Sequence, residues 1–247
     1  MNHPNPYPLC VFCGAKANSR EHAIPKWIGK RFPHLRYKEL RTVYTFNVQH
    51  PRKQPVIFGS HRERIFCKNC NAHFKHLEDE AIPLVEWMAR AKPIILGDAE
   101  QDVLARWGAK TGYALVAAER DTRDLVPLEH TKTLRFGGVV HPLTWVGYAS
   151  WRGRAHKFAG DHQLDSLKPL QPGSLRAYGA ILTFEHLALK VFGLYERAPR
   201  HAVHFDTASL KQVFPALDRQ IAWPLFPAAG DSNLQGMAEL PPLTPEK

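Results

Sequence analysis

The sequence predicts an α+β chain, on three observations. All four cysteines fall in two close pairs, Cys10-Val11-Phe12-Cys13 and Cys67-Lys68-Asn69-Cys70. After Cys70 the apolar residues recur at helical spacing. Beyond about residue 120 the pattern becomes short runs rich in β-branched and aromatic residues, cut by Gly and Pro. The chain therefore divides into a cysteine-clamped unit over 1–96, an α+β region over 97–227 with mostly β character, and a tail over 228–247 expected to be disordered.

Composition narrows the class. The chain has 247 residues, 44% of them hydrophobic, enough to bury a substantial core. It has no run of about 18 apolar residues, so a membrane-spanning helix is not expected. Residues Met1 to Pro6 offer neither a charged leader nor an apolar segment, so a cytoplasmic setting is expected. In that setting paired cysteines serve as metal ligands rather than disulfides. Four thiolates close a tetrahedral zinc site, with Zn–S near ~2.3 Å and no open position. Cys10, Cys13, Cys67 and Cys70 are thus expected to hold one structural Zn²⁺, which substitutes for a core this small unit could not build alone.

Taken in order, residues 10–13 form a knuckle, and Gly14 permits the tight turn after it. Residues 21–25 are extended, because Ile24 precedes a proline. Residues 26–32 form a short helix with Pro25 at its start and Trp27, Ile28 and Phe32 on its apolar side. Residues 42–48 read as a strand, 51–55 as a basic loop, and 64–66 as a strand leading into the second knuckle. Phe74, Leu77 and Ala81 share a helical face, predicting a helix over 71–81 that Pro83 interrupts before a second segment through Trp87 and Met88. Asp98 begins another helix, with Gln101 completing a capping-box-like pair, and the stripe Leu104, Trp107, Thr111, Ala114, Leu115 and Ala118 carries it to about Arg120. Strands are expected at 131–136, 144–151, 175–184, 187–195 and 202–205, ending near Trp223-Pro224.

Around the cysteines stand further residues at fixed offsets. Glu21-His22 begins eight residues past Cys13, Pro25 lies three past His22, and Asn71 directly follows Cys70. This set resembles the ββα-metal nucleases, also called HNH or His-Me finger endonucleases. Their pattern is C-x-x-C, an acidic residue plus His with proline three residues on, then C-x-x-C followed by Asn or His. The resemblance covers about residues 8–80 and implies a zinc-clamped ββα-metal domain. It implies that His22 is the general base toward the attacking water. It implies that Glu21 and Asn71 hold one divalent ion, Mg²⁺ with Mn²⁺ as a substitute, since hard oxygen donors suit such ions. Adjacent residues of an extended strand point to opposite sides, so Glu21 and His22 need a local twist or bulge to act together. Glu21 stands where many members carry Asp. The family's middle Asn or His has only Asn47 and His61 as candidates, and His73 and His76 are candidate extra ligands. The stretch from Trp107 to Thr111 and the Trp223-Pro224 ending are similar to the downstream region of one bacterial branch of these proteins.

Charge points to the partner. The chain carries a net charge of +10, and residues 1–66 hold twelve Lys and Arg against three Asp and Glu. A positive field gathered beside the motif suits a polyanion. Lys16, Arg20, Lys26, Lys30, Arg31, Arg62 and Arg64 are the expected nucleic-acid contacts, supplying affinity without base readout. The expected function is metal-dependent hydrolysis of phosphodiester bonds in DNA, with a homodimer as the arrangement that would cut both strands at once. Two alternatives share the same residues: a non-catalytic zinc module that binds nucleic acid, and a ribonuclease with the same centre.

Overall fold

The computed structural model describes residues 8–36, 39–42, 56–57, 62–118, 124–163, 176–195, 201–203, 210–233, 237 and 243–245. In chain order its elements are β1 (Ser19–His22), α1 (Lys26–Arg31), a 3-10 turn (Pro33–Leu35), β2 (Glu39–Thr42), β3 (Val56–Ile57), β4 (Arg62–Phe66), α2 (Lys68–Ala89), β5 (Ile94–Leu96), α3 (Asp98–Ala118), α4 (Leu128–Gly137), β6 (Thr144–Ser150), β7 (His156–Gln163), β8 (Arg176–Phe184), β9 (Leu187–Leu194), β10 (His201–Val203), β11 (Leu210–Phe214), β12 (Ile221–Trp223), a second 3-10 turn (Asp231–Asn233) and β13 (Leu243–Pro245). The chain is α+β, as expected. None of the described helices is long and apolar enough to cross a membrane.

A seven-stranded sheet in the order β11-β6-β9-β8-β7-β2-β3 forms the largest layer. Its pairings are antiparallel except β2 with β7. The helix α3 lies against β6 and β9, and two glycines one turn apart allow the approach. A Cβ on Gly108 would meet Val146 Cγ1 at 2.5 Å, and one on Gly112 would meet Val191 Cβ at 2.6 Å. Tyr148 donates its hydroxyl to the Leu104 carbonyl of α3 at 2.8 Å. On the opposite face Trp145, Trp151, Ile181 and Phe192 join a second buried cluster. Every residue of β6 and β9 is buried, which is why both read as unbroken apolar runs.

The N-terminal unit docks on α3 through Phe12. Its ring stacks on Phe66 at 5.1 Å and meets Phe74 at 4.6 Å and Tyr113 of α3 at 6.4 Å. One buried cluster runs from Cys10 to Leu225. In addition, β2 joins the edge of the large sheet and β5 pairs with β12. Packing is therefore continuous across the boundary expected at residue 96.

Several elements differ from the sequence reading. Pro83 does not interrupt α2, which runs unbroken for 22 residues. Pro83 brings no N–H to the Asp79 carbonyl, and both residues are exposed on the outer side of the helix. Residues 131–136 are not a strand but part of α4, entered at Pro127 and closed by left-handed Gly138, φ +68°. Thr131 donates its hydroxyl to the Val11 carbonyl of the first knuckle at 2.6 Å, with the Leu128 carbonyl farther at 3.0 Å, and Thr133 donates to the Glu129 carbonyl, so tertiary contact and local bonding override their strand preference. At the start of α3 the expected cap partner, Gln101, turns inward to the Leu96, Asp218 and Arg219 carbonyls, and Glu100 accepts the Gly97 N–H instead. The stretch expected to be a disordered tail carries structure where it is described: Ala229 is buried and bonded to Ser150 and Arg152, and β13 pairs with β10. The strand expected over 42–48 begins earlier, as β2, and residues 43–48 lie outside the described residues.

Candidate functional site

The four cysteines converge. Their sulfurs all lie within 4.8 Å of one another and could bind a metal such as zinc. Two elements build the cluster. The first knuckle is a turn in which Cys10 N–H bonds the Ala15 carbonyl and Gly14 N–H the Cys10 carbonyl, with Gly14 at φ +75°. The second is the N-terminus of α2, where Cys67 is the capping residue and its sulfur accepts the Cys70 N–H at 3.3 Å. Val11 N–H to the Ile65 carbonyl at 3.0 Å joins the two. Cys13 and Cys67 sulfurs stand 3.7 Å apart. A zinc tetrahedron with ~2.3 Å bonds has an edge of about 3.8 Å, so the donor set fits that ion in type and spacing. Burial pushes the Cys10 and Cys70 thiols up. At Cys67 burial also raises the thiol, but bonds from Cys70 and its sulfur neighbours outweigh it and leave it lowered. Three sulfurs are buried and share little water, so a cation is what would draw off their protons.

Next to this cluster, β1 crosses the first turn of α2. Asn18 Oδ1 accepts the Lys68 N–H at 2.9 Å, and Asn71 Nδ2 reaches Ser19 Oγ at 3.5 Å. That crossing brings Glu21 and His22 to Asn71. The pairing of β1 with β4 is irregular between Ser19 and Glu21, while Glu21 and His22 pair in step with Glu63 and Arg62, and the Glu21 side chain folds back onto its neighbour. Glu21 Oε1 accepts the His22 backbone N–H at 2.9 Å and lies 3.4 Å from His22 Nδ1. These bonds from His22, aided by one from Asn71, hold the Glu21 carboxyl down at about 2 against the cost of burial. The Asn71 amide thus turns its nitrogen toward Ser19 Oγ and the carboxylate.

Glu21, His22 and Asn71 open on one trough of about 330 Å³. Its wall follows α2 from Asn71 through Lys75 and Glu78 to Ile82, a rise of about 16 Å at 1.5 Å per residue. Lys26 and Trp27 of α1 form the opposite lip. Among the expected nucleic-acid contacts, Lys26 lines the trough, and Lys26 and Lys30 are exposed one turn apart on α1. Arg31 is exposed with its guanidinium 3.5 Å from Glu86. Lys16 and Arg64 are exposed but stand outside the trough lining. The side chains of Arg20 and Arg62, and all of Asn47 and His61, lie outside the described residues. His73 and His76 do not line the trough: His73 packs edge-on to Phe74, and His76 lies 3.3 Å from Glu80.

Sequence reasoning missed Lys110 and Glu78. Lys110 comes from the middle of α3, is 4% exposed and still reaches the trough, where its ammonium bonds Glu78. The signal was a charged residue inside an otherwise apolar helical stripe. A second group, Glu129, His130 and His141, also gathers donor atoms within 4.8 Å. There the two imidazoles are stacked, centroids 3.9 Å apart and planes 16° from parallel. Ring lone pairs lie in the ring planes, so they run side by side rather than converge on one ion.

Comparison with protein-family models, with curated proteins and with solved structures gives no match.

Proposed function

We propose that the chain is a metal-dependent endonuclease of the HNH kind, acting on phosphodiester bonds of DNA. The observation that carries this is the convergence of Glu21, His22 and Asn71 on one trough, immediately beside the four-cysteine cluster. The run β1, β4, α2, two antiparallel strands and then a helix, supports the ββα reading. In this account Cys10, Cys13, Cys67 and Cys70 hold a structural zinc that keeps β1 across α2. Glu21 and Asn71 hold a divalent ion, which when bound supplies charge neutralisation at the scissile phosphate. Glu21 at Nδ1 fixes the imidazole of His22 with the proton on that nitrogen, which makes Nε2 the basic one. His22 then accepts the proton of the attacking water there. Lys26 and Lys30 track the phosphate backbone.

One observation favours a non-catalytic zinc module instead. The Glu21 oxygen that meets His22 Nδ1 also caps the His22 N–H, which is what a loop brace does. Plasmid nicking by purified protein, with Mg²⁺ and with chelator, decides between them. Nicking that needs the ion supports the nuclease; binding without nicking supports the module. Labelled DNA and RNA run side by side separate deoxyribonuclease from ribonuclease.

A further inference from the structure

The trough has a floor that belongs to neither half of the sequence motif. Glu78 accepts the Trp27 indole N–H on one oxygen and the Lys110 ammonium on the other. Lys110 also lies over the Phe66 ring, its nitrogen 5.5 Å from the centroid. Trp27 sits five residues past His22, on the helix that follows β1. Glu78 sits seven residues past Asn71, two turns down the same face of α2. The Trp27–Glu78–Lys110 bridge thus ties α1, which follows β1 with its Glu21 and His22 after three residues, to α2, which carries Asn71, and anchors both on α3. A long-stem cation buried to 4% exposure is costly unless its partner is fixed, so the bridge is geometrically demanding as well as central.

We infer that Lys110 is a positioning residue of the proposed nuclease centre, acting through Glu78 and Trp27 to fix the separation of Glu21 and His22 from Asn71. The centre is then incomplete without α3, although α3 lies outside the region of the HNH resemblance. This rests on the nuclease reading.

The test uses the full chain with its zinc and Mn²⁺ as the probe. Removing both charges together, Lys110→Met with Glu78→Gln, leaves neither partner buried alone. Half-saturating Mn²⁺, read by electron paramagnetic resonance, should rise about tenfold or more. Plasmid nicking should fall in kcat with the KM for DNA unchanged. Lys110→Arg, with Glu78 intact, should recover most of both. Trp27→Phe, which removes only the indole donor, should shift Mn²⁺ affinity the same way and keeps the test open if the double variant does not fold. A lower melting temperature with wild-type Mn²⁺ affinity and rate in either variant makes the bridge purely structural and overturns the inference while sparing the nuclease. A wild-type protein that binds no Mn²⁺ and nicks no plasmid overturns the nuclease reading, and this role with it.

Discussion

His22 Nδ1 lies 3.4 Å from Oε1 of Glu21, its neighbour in the chain, and the same oxygen accepts the His22 backbone N–H at 2.9 Å. In a regular strand these side chains would face opposite sides of the sheet. Here the Glu21 carboxylate folds back across the backbone to its neighbour, although both residues pair in step with β4. If His22 is the base, His22→Ala should lower plasmid nicking about 10²–10⁴-fold with zinc content and melting temperature unchanged. Asn71→Ala should also lower nicking, but excess Mg²⁺ or Mn²⁺ should restore part of it, because the loss is in ion affinity. A His22→Ala protein that nicks at the wild-type rate removes the mechanism.

The sulfur cluster carries the second prediction. Three of its four cysteines are buried, and Cys67 caps α2 as well as facing Cys13 at 3.7 Å. Native protein should contain one zinc per chain by elemental analysis. Cys67→Ser should lose it, and with it the seating of β1 on α2, since structural zinc contributes roughly 10 kcal/mol or more to small units. A folded, metal-free native sample rejects the site.

Charge carries the third. Lys26 and Lys30 are exposed on one face of α1, and Lys26 lines the trough. Reversing both, Lys26→Glu with Lys30→Glu, should weaken DNA binding and flatten its salt dependence. With several phosphates contacted, wild-type affinity should fall about a hundredfold or more between roughly 50 and 200 mM salt. Equal affinity of variant and wild type by fluorescence anisotropy takes α1 out of the interface.

The cysteine pairs, α1, β4, β6, β8 and β9 were legible in the sequence because each is marked by local chemistry: spacing, a helix-starting proline, or an unbroken apolar run. β7 was not. Its sequence, HKFAGDHQ, has little strand propensity, and its place comes from eight consecutive pairings with β8. The helix α4 was misread because Thr131 and Thr133 favour strands, whereas Pro127 and Gly138, which bound the helix, were read only as breaks. For the candidate site, Glu21, His22 and Asn71 were visible as a spaced set. Lys110 was not, because sequence spacing cannot say which face of α3 turns toward a trough built 30 or more residues earlier.

Close packing of α3 gives the fourth prediction. A methyl on Gly112 would sit 2.6 Å from Val191 Cβ and Cγ2, on a strand buried on both faces. Gly112→Ala should therefore destabilise the fold, despite the better helix propensity of Ala, by about 1–3 kcal/mol of overpacking. Val191→Ala in the same chain should recover part of that loss, although Val191→Ala alone should also destabilise through its cavity. Additive losses in denaturant melts, with no recovery, would show that the two residues do not compete for the same space.

The last prediction concerns acid. His130 is fully buried; its Nδ1 meets the Tyr178 hydroxyl at 2.8 Å, and its Nε2 has no hydrogen-bond partner among the described residues. Burial, with a smaller push from the stacked His141, holds His130 down at about 3, against 6.5 for an ordinary histidine. The sign follows from proton counting. Between those two values the unfolded chain binds a proton at this position and the folded chain does not, so stability falls as pH drops through that window. The loss is absent above the ordinary histidine range and grows to at most about 5 kcal/mol near pH 3. His130→Asn keeps a polar partner for Tyr178 and cannot titrate. It should cost stability at pH 7.5 by loosening the contact with Tyr178, yet lose less than wild type on going to pH 4.5. Urea melts of both proteins at the two pH values measure this, and equal losses would mean that His130 already takes up its proton in the folded state.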